Sequence, residues 1–360
     1  MDLTHQASTA LPVFDSASPV SLEFKGSGSE YFRIWIVNLL LSILTLGIYS
    51  AWAKVRRNRY FYSNTSLAGS SFEYHGNAIA ILKGRIVALV FVLAYQLAFK
   101  HSLTLGLLMM AILASVMPWL VWKSLQFKLY NSSYRGIRFG FRGDAAQAYV
   151  TYLLWPLLAL FSMYLLAPFM HQRIKRFQHN ESRFGATHFS FDGKVKSFYW
   201  CYLVGFGIML AGLVVISLVF GGAAFAALSA IRKGHIGSAI IFPIIGFFLA
   251  LYLWMFAVYP IFLTLLQNLI WNHTKLGEHQ FSSHLKWGRM TSIMLTNILG
   301  IVCTLGLFIP FAQVRALRYR VENLSLQMNG SLDHFIAVTE EQVSATGEGM
   351  ADLLDFDISL

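Results

Sequence analysis

AWAKVRRNRYFYSNTSLAGSSFEYHG, Ala51 to Gly76, decides how the rest of this chain is read, because the chain writes it five times. The second copy is PWLVWKSLQFKLYNSSYRGIRFGFRG, Pro118 to Gly143. In both, a tryptophan (Trp52, Trp119) precedes an asparagine (Asn64, Asn131), a glycine (Gly69, Gly136) and then Phe-x-aromatic-x-Gly. A third copy runs from Pro168 through Phe169, Arg173, Arg176, Phe177, Asn180, Gly185, Phe189 and Phe191 to Gly193. A worn fourth keeps Pro260, Asn272, Gly277 and Phe281, and a fifth keeps Pro310, Phe311, Arg315, Arg318, Tyr319 and Asn323. Every copy ends an apolar stretch, and equivalent modules belong on one side of whatever they border.

What they border is a membrane. The chain is 56% hydrophobic and 12% charged, with mean hydropathy +0.56, against roughly 25% charged in a soluble domain. Apolar runs cover Ile34–Ala53, Ile86–Phe99, Leu103–Trp122, Tyr149–Met170, Phe198–Ile231, Ile236–Trp271 and Met290–Ala312, and none holds Asp, Glu, Lys or Arg. About 20 helical residues cross a ~30 Å hydrocarbon core. A soluble core absorbs one such run, not this many.

The stretch up to Ser21 is polar and has neither a basic n-region nor an apolar h-region, so targeting falls to the first apolar segment. Cys201 and Cys303 lie in apolar runs without a CxxC partner and read as small packing residues. Residues 340–360 hold six acids and no base, the composition of a disordered cytosolic tail.

The modules group into larger units. Arg56, Arg59, Tyr60, Phe72 and Gly76 map onto Arg173, Arg176, Phe177, Phe189 and Gly193 with one shift, and onto Arg315, Arg318 and Tyr319 with a second. Asn38 and Thr45-Leu46-Gly47-Ile48 find partners in Asn297 and Thr304-Leu305-Gly306-Leu307, while the middle copy has Trp155 in place of the asparagine. The expected organisation is a disordered segment 1–21, a first repeat unit 22–146, a second 147–288, a truncated third 289–335, and an acidic tail 336–360. Each unit carries a broken membrane segment, a basic collar and a β motif, and the first two add an apolar hairpin.

The β motifs alternate: Phe72-Glu73-Tyr74-His75-Gly76, Phe189-Ser190-Phe191-Asp192-Gly193, and Leu22-Glu23-Phe24-Lys25-Gly26 ahead of the first apolar run. Open strand edges do not lie in lipid, so the expected fold is an α-helical polytopic membrane protein with a small cytoplasmic β-strand-containing region. Up to seven membrane segments are expected, and two arrangements stay open. If all seven cross, basic residues divide 16 to 12. If 34–53, 149–170 and 290–312 are re-entrant, broken near Gly47, Pro156/Pro168 and Gly306, only Lys100, Arg232 and Lys233 of 28 lie on the far side. The positive-inside rule favours the second and segment length the first. Both put the first collar and the C-terminus in the cytoplasm.

The segment EYFRIWIVNLLLSILTLGIYSAWAKVRRNRYFYSNTSLAGSSFEYHG, beginning at Glu30, resembles the signature of the YjgN family of bacterial inner-membrane proteins, catalogued around a domain of unknown function. The resemblance covers roughly Leu22 to Phe335. Ala51 departs from it, since the resemblance implies a proline there, as at Pro118, Pro168, Pro260 and Pro310. It implies a multi-pass protein of the bacterial inner (cytoplasmic) membrane, and no reaction, substrate or catalytic residue.

Candidate chemistry therefore rests on the residues. The collars put basic residues at helical spacing beside aromatics, which suits anchoring at headgroups. Arg56, Arg59, Arg173, Arg176, Arg315 and Arg318 are the candidate contacts to anionic lipid headgroups. No soluble domain presents this charge to nucleic acid. The eleven histidines fit no zinc spacing, and P-loop, HExxH and GxSxG motifs are missing, so neither a cofactor nor an enzyme is expected. Asn38, Asn297 and Gln96 are candidates for a polar pathway. All acids lie outside the apolar runs, which argues against a carboxylate relay. Two functions follow as expectations: permeation of a small solute, or a non-enzymatic scaffold that binds anionic lipid. Oligomeric state is not legible in the sequence.

Overall fold

The structure, a computed structural model, describes residues 19–232 and 238–329. The segment up to residue 18 and the acidic tail from 336 lie outside the described residues. Five β-hairpins build one closed barrel. Four are continuous in the chain: β2 (Thr65–Leu67) with β3 (Ser70–Tyr74), β4 (Ser132–Tyr134) with β5 (Ile137–Phe141), β6 (Ser182–Phe184) with β7 (Thr187–Phe191), and β8 (Thr274–Leu276) with β9 (His279–Ser283). The fifth is split between the two ends of the chain. β10 (Leu324–Gln327) follows the last module, β1 (Pro19–Phe24) precedes the first apolar run, and they pair antiparallel through Pro19↔Gln327, Val20↔Leu326 and Ser21↔Ser325. β1 thus begins three residues inside the stretch expected to be disordered. β1 also pairs with β2 and β10 with β9, so no strand edge is left.

Two-residue turns close the hairpins. Ala68-Gly69 and Arg135-Gly136 both take positive φ, the primed geometry whose twist matches the flanking strands. Inside the barrel, five cross-strand pairs each join neighbouring modules: Leu22↔Leu67, Phe72↔Tyr134, Phe139↔Phe184, Phe189↔Leu276 and Phe281↔Leu326. All ten side chains belong to one apolar cluster, with ring centroids 4.9 Å apart in Phe72–Tyr134 and in Phe139–Phe184. The barrel is filled across its axis by side chains. Two residues further along, Phe24, Tyr74, Phe141 and Phe191 bury against the helices below.

Five two-helix hairpins hang from the barrel. Three are short: α1 (Gly28–Leu44) with α2 (Ser50–Ser63); α5 (Ala145–Tyr149), a π-helical turn (Val150–Leu154) and α6 (Trp155–Phe161) with α7 (Ala167–Asn180); and α10 (Trp287–Cys303) with α11 (Ile309–Glu322). Two are long: α3 (Ala78–His101) with α4 (Leu103–Tyr130), and α8 (Val195–Arg232) with α9 (Ser238–Asn272). Each helix packs on the next, and α11 returns to α1, so the helices form a closed circle. Ser27 and Glu30 form a capping box that starts α1, and Asn77 caps α3.

The short hairpins turn inside apolar sequence, where orphan backbone groups are costly. One hydroxyl resolves this at each tip. Thr45 donates to Leu41 O at 2.7 Å and accepts from Tyr49 N at 2.9 Å; Thr304 does the same with Gly300 and Phe308, and Ser162 with Ala159 and Leu166. Each tip has two consecutive residues at positive φ, Leu46-Gly47 (50° and 91°), Leu305-Gly306 (51° and 95°) and Met163-Tyr164 (52° and 64°), so only the middle tip puts a side chain, Tyr164, where the others have glycine. The tips are bare apolar knobs, Leu46 and Leu305 each 95% exposed and Met163 86%. Arg56 lies about ten residues, ~15 Å of helix, from the tip at Leu46, half of a ~30 Å hydrocarbon core.

Two expectations are corrected. The β region is not small: it is a closed ten-stranded barrel. Three-residue strands carry too little alternation to read, and the fifth hairpin cannot be seen along the chain because its strands lie at opposite ends. The membrane part does not hold seven spanning segments. Among the described residues four helices are long and apolar enough to cross, at Ala78–His101, Leu103–Tyr130, Val195–Ala223 and Phe242–Asn272. The stretches 34–53, 149–170 and 290–312 each divide into two helices at a turn, the middle one at Ser162–Leu166 rather than at Pro156 or Pro168. In the long helices Pro118 and Pro260 occupy the position that starts α2, α7 and α11 in the short hairpins. The same collar therefore follows either a helix long enough to cross a membrane or a short hairpin.

Candidate functional site

The collar helices are tied to the barrel by a repeated bond made with different residues. The carbonyl just after the second strand of a module accepts from Trp122 Nε1 (Gly143 O, 2.6 Å), Gln172 Nε2 (Gly193 O, 2.9 Å), Asn268 Nδ2 (Leu285 O, 2.9 Å) or Arg318 Nη2 (Gly26 O, 2.6 Å). Arg318 thus closes the ring between the last collar and the first strand, and also lies 3.8 Å from Glu322.

The other candidate arginines stay within their own hairpins. Arg56 donates to Asn38 Oδ1 (3.4 Å) and Tyr49 OH (3.1 Å), and Arg315 donates to Asn297 Oδ1 (2.9 Å) and Thr296 Oγ1 (3.1 Å). Both asparagines are buried. Arg173, the equivalent residue of the middle hairpin, meets Trp155 instead of asparagine. Its guanidinium lies 4.8 Å from the centre of the Phe169 ring, which in turn packs edge-on to Trp155 at 4.7 Å. Arg173 Nε is buried and makes no hydrogen bond. Arg59 and Arg176 are exposed. Gln96 is exposed on α3, and Asn38 and Asn297 are bound to arginines of their own hairpins.

Clefts open beside two of the short hairpins. One, of about 240 Å³, lies between α1, α2 and α3; Lys54, Arg57 and Arg85 line it with Asn38, Ser42 and Ser50, and among the described residues no carboxylate lines it. Arg85 reaches Ser50 Oγ from α3. A second, of about 440 Å³, lies on the middle hairpin and is lined by Arg173, Arg176, Trp155, Thr151, Asn180 and Glu181 among others. A third, of about 620 Å³, is an apolar groove along α8 and α9.

Sequence reasoning missed the centre of the ring. Lys128, Lys175 and Arg320 come from three different collars, and Lys175 feels both of the others. Arg320 Nε donates to Gln267 of a fourth collar at 2.8 Å. Burial and these like charges push the Lys175 ammonium down to about 8. Above it His179 is buried against Phe191 and Trp271, with Nδ1 3.3 Å from Thr274 Oγ1, and burial pushes its imidazole down to about 3. The gathering depends on ring closure, which no local pattern announces. Among the described residues no group of three His, Cys, Asp or Glu is placed to hold a metal ion. Cys201 packs in the α8–α9 core, whereas Cys303 is exposed next to a hairpin tip.

Comparison with known proteins places these features in a family. The family described as "Bacterial protein of unknown function (DUF898)" matches residues 19–353. Inner membrane protein YjgN of Salmonella typhimurium is 31% identical over 147 residues, 41% of this chain and 37% of that protein. YjgN of Escherichia coli O157:H7 is 31% identical over 142 residues, 39% and 36% of the two chains. The alignments span little more than a third of the length of these curated relatives. No solved structure matches. The chain belongs to the YjgN/DUF898 family, and is a multi-pass protein of the bacterial inner membrane.

Proposed function

We propose, with membership of that family as the premise, that the protein is a non-enzymatic membrane scaffold that holds anionic phospholipid headgroups of the leaflet below its barrel. The observation that carries this reading is the cleft between α1, α2 and α3, where Lys54, Arg57 and Arg85 gather beside three neutral polar side chains. Cations at headgroup depth attract anionic lipid by roughly 1 kcal/mol each. The half-depth hairpins support the same reading, because their apolar tips end within one leaflet. In this reading the barrel and collars face the cytoplasm, as the positive-inside rule favours, and the C-terminus lies there too.

Permeation of a small solute is the second reading. It draws on the closed circle of helices and on the polar centre at Lys128, Lys175, Arg320 and Gln267. The filled barrel stands against a route along the axis. Native mass spectrometry of the purified protein tests the first reading: Arg57→Gln with Arg85→Gln is expected to shed co-purifying anionic lipid, while neutral lipid stays. Solute flux in proteoliposomes with lipid retention unchanged in that variant would instead favour permeation.

A further inference from the structure

The three short hairpins are internal copies, so they control for one another. Arg56, Arg173 and Arg315 hold equivalent positions. In the first and third hairpins the guanidinium is engaged by a buried asparagine, at 3.4 Å and 2.9 Å. In the middle hairpin Trp155 replaces that asparagine, and the helix carrying it departs from α geometry in the π-helical turn Val150–Leu154 just before it. Such bulges are frequent at functional sites. The consequence is local: Arg173 Nε is buried without a hydrogen bond, and a cleft of about 440 Å³ opens beside it.

A buried guanidinium nitrogen without an acceptor is costly unless something supplies one. Arg176 lines the same cleft three residues on, Thr151 and Asn180 add neutral polar groups, and Trp155 and Phe177 wall it. Glu181 also lines it, so two cations face one carboxylate. The net single positive charge matches a monoanion better than a dianion. Guanidinium presents parallel donors to phosphate oxygens.

We propose that this cleft binds a phosphodiester monoanion, with Arg173 as the principal donor and Arg176 as its partner. The shared chemistry fits a phospholipid headgroup such as phosphatidylglycerol or a soluble phosphodiester. The site deepens the headgroup-binding reading by naming a second, selective site, and it is separate from the cleft at Arg57 and Arg85.

The test uses the full chain in nanodiscs of phosphatidylcholine with and without phosphatidylglycerol, and in detergent with glycerophosphoglycerol as the soluble probe. Trp155→Asn restores the acceptor found in the sister hairpins without removing a charge. It is expected to weaken phosphatidylglycerol binding at least tenfold, as is Arg173→Gln. Arg173→Lys keeps the charge and is expected to lose most of the affinity. Arg56→Gln and Arg315→Gln are expected to leave the site unchanged. Binding from the bilayer alone identifies a lipid site, and binding of the soluble probe with the same variant pattern identifies a soluble ligand; either supports the proposal. Parent-like binding by folded Trp155→Asn and Arg173→Gln, or equal binding by Arg173→Lys, overturns it. If Arg57→Gln with Arg85→Gln sheds lipid while the Arg173 variants do not, the general reading stands and this site falls; the reverse pattern separates the two the other way.

Discussion

Arg315 donates from Nη1 to Asn297 Oδ1 at 2.9 Å, and the same asparagine returns Nδ2 to Ala312 O at 3.1 Å. One buried amide thereby joins both arms of a hairpin, holding a side chain of α11 and a carbonyl of the same helix. Arg56 and Asn38 repeat the side-chain half of this arrangement at 3.4 Å. Such pins matter because the hairpins end in bare apolar tips, where lipid offers no competing polar partner.

Replacing Asn297 by alanine removes both bonds and leaves Arg315 only its bond to Thr296. Hydrogen bonds to charged groups contribute about 1.5–3 kcal/mol, so a clear fall in melting temperature in detergent is expected. Adding Arg315→Ala should cost less than the sum of the two single changes, because they share the interaction. Asn38→Ala should cost less than Asn297→Ala, given the longer bond. Additive losses would show that the pair does not interact.

The barrel closure makes a second prediction. Leu326 is 1% exposed, pairs with Phe281 on one side and Val20 on the other, and so packs where the two ends of the chain meet. Leu326→Ala should cost about 2–5 kcal/mol, the usual range for an enclosed leucine. The exposed neighbour Gln327 should tolerate alanine within about 0.5 kcal/mol. Equal melting temperatures for the two variants would mean that β10 is not part of the closed barrel.

Much of this architecture was legible because repetition fixed equivalence. The aromatics that fill the barrel, Phe72, Phe139, Phe189 and Phe281, stand at one position of the repeated motif, and the tip residues Thr45 and Thr304 at another. The ten-strand count was not legible, since Thr65–Leu67 is too short to alternate and β1 meets β10 only after the ring has closed. Seven spans stayed open beside the arrangement with three re-entrant segments because length alone does not distinguish one helix from two joined by a self-satisfied turn. At the site, Arg173 was visible as one of six candidate arginines, equivalent in the repeat to Arg56 and Arg315. Its difference from Arg56 and Arg315 was written in Trp155, but the meaning of that substitution needs the asparagine bonds of the sister hairpins.

Accessibility of single cysteines tests the placement of the hairpins. In a background lacking Cys201 and Cys303, cysteines at Gly69, Gly136 and Glu278, on three barrel turns, should all be labelled by an impermeant thiol reagent from one side of the membrane. A cysteine at Ser102, between the two long helices α3 and α4, should be labelled from the other side. Leu46 and Leu305, at the tips of short hairpins, should resist the reagent from both. Labelling of Leu305→Cys from the Ser102 side would mean that this hairpin crosses the membrane completely.

His179 makes stability depend on pH in a definite direction. Its imidazole is buried beside Phe191 and Trp271, near the Lys175 ammonium, and its folded-state pKa falls from the ordinary 6.5 to about 3. As pH drops from 6.5 toward 3, the unfolded chain takes up a proton that the folded one refuses, so stability falls across that window. His179→Gln removes the ionisation while keeping a group that can bond Thr274. Acid also titrates carboxylates elsewhere, so the informative quantity is the difference in melting temperature between parent and variant. That difference should shift in favour of the variant between pH 7 and pH 4, and stay constant above pH 7.5. Lys175, held down to about 8 by burial and by Lys128 and Arg320, acts in a separate window: stability should rise as pH climbs from about 8 to 10.5, and Lys175→Met should flatten that rise. A parent and His179→Gln pair that lose stability in parallel below pH 6.5 would show that the histidine is solvated or already charged in the folded protein.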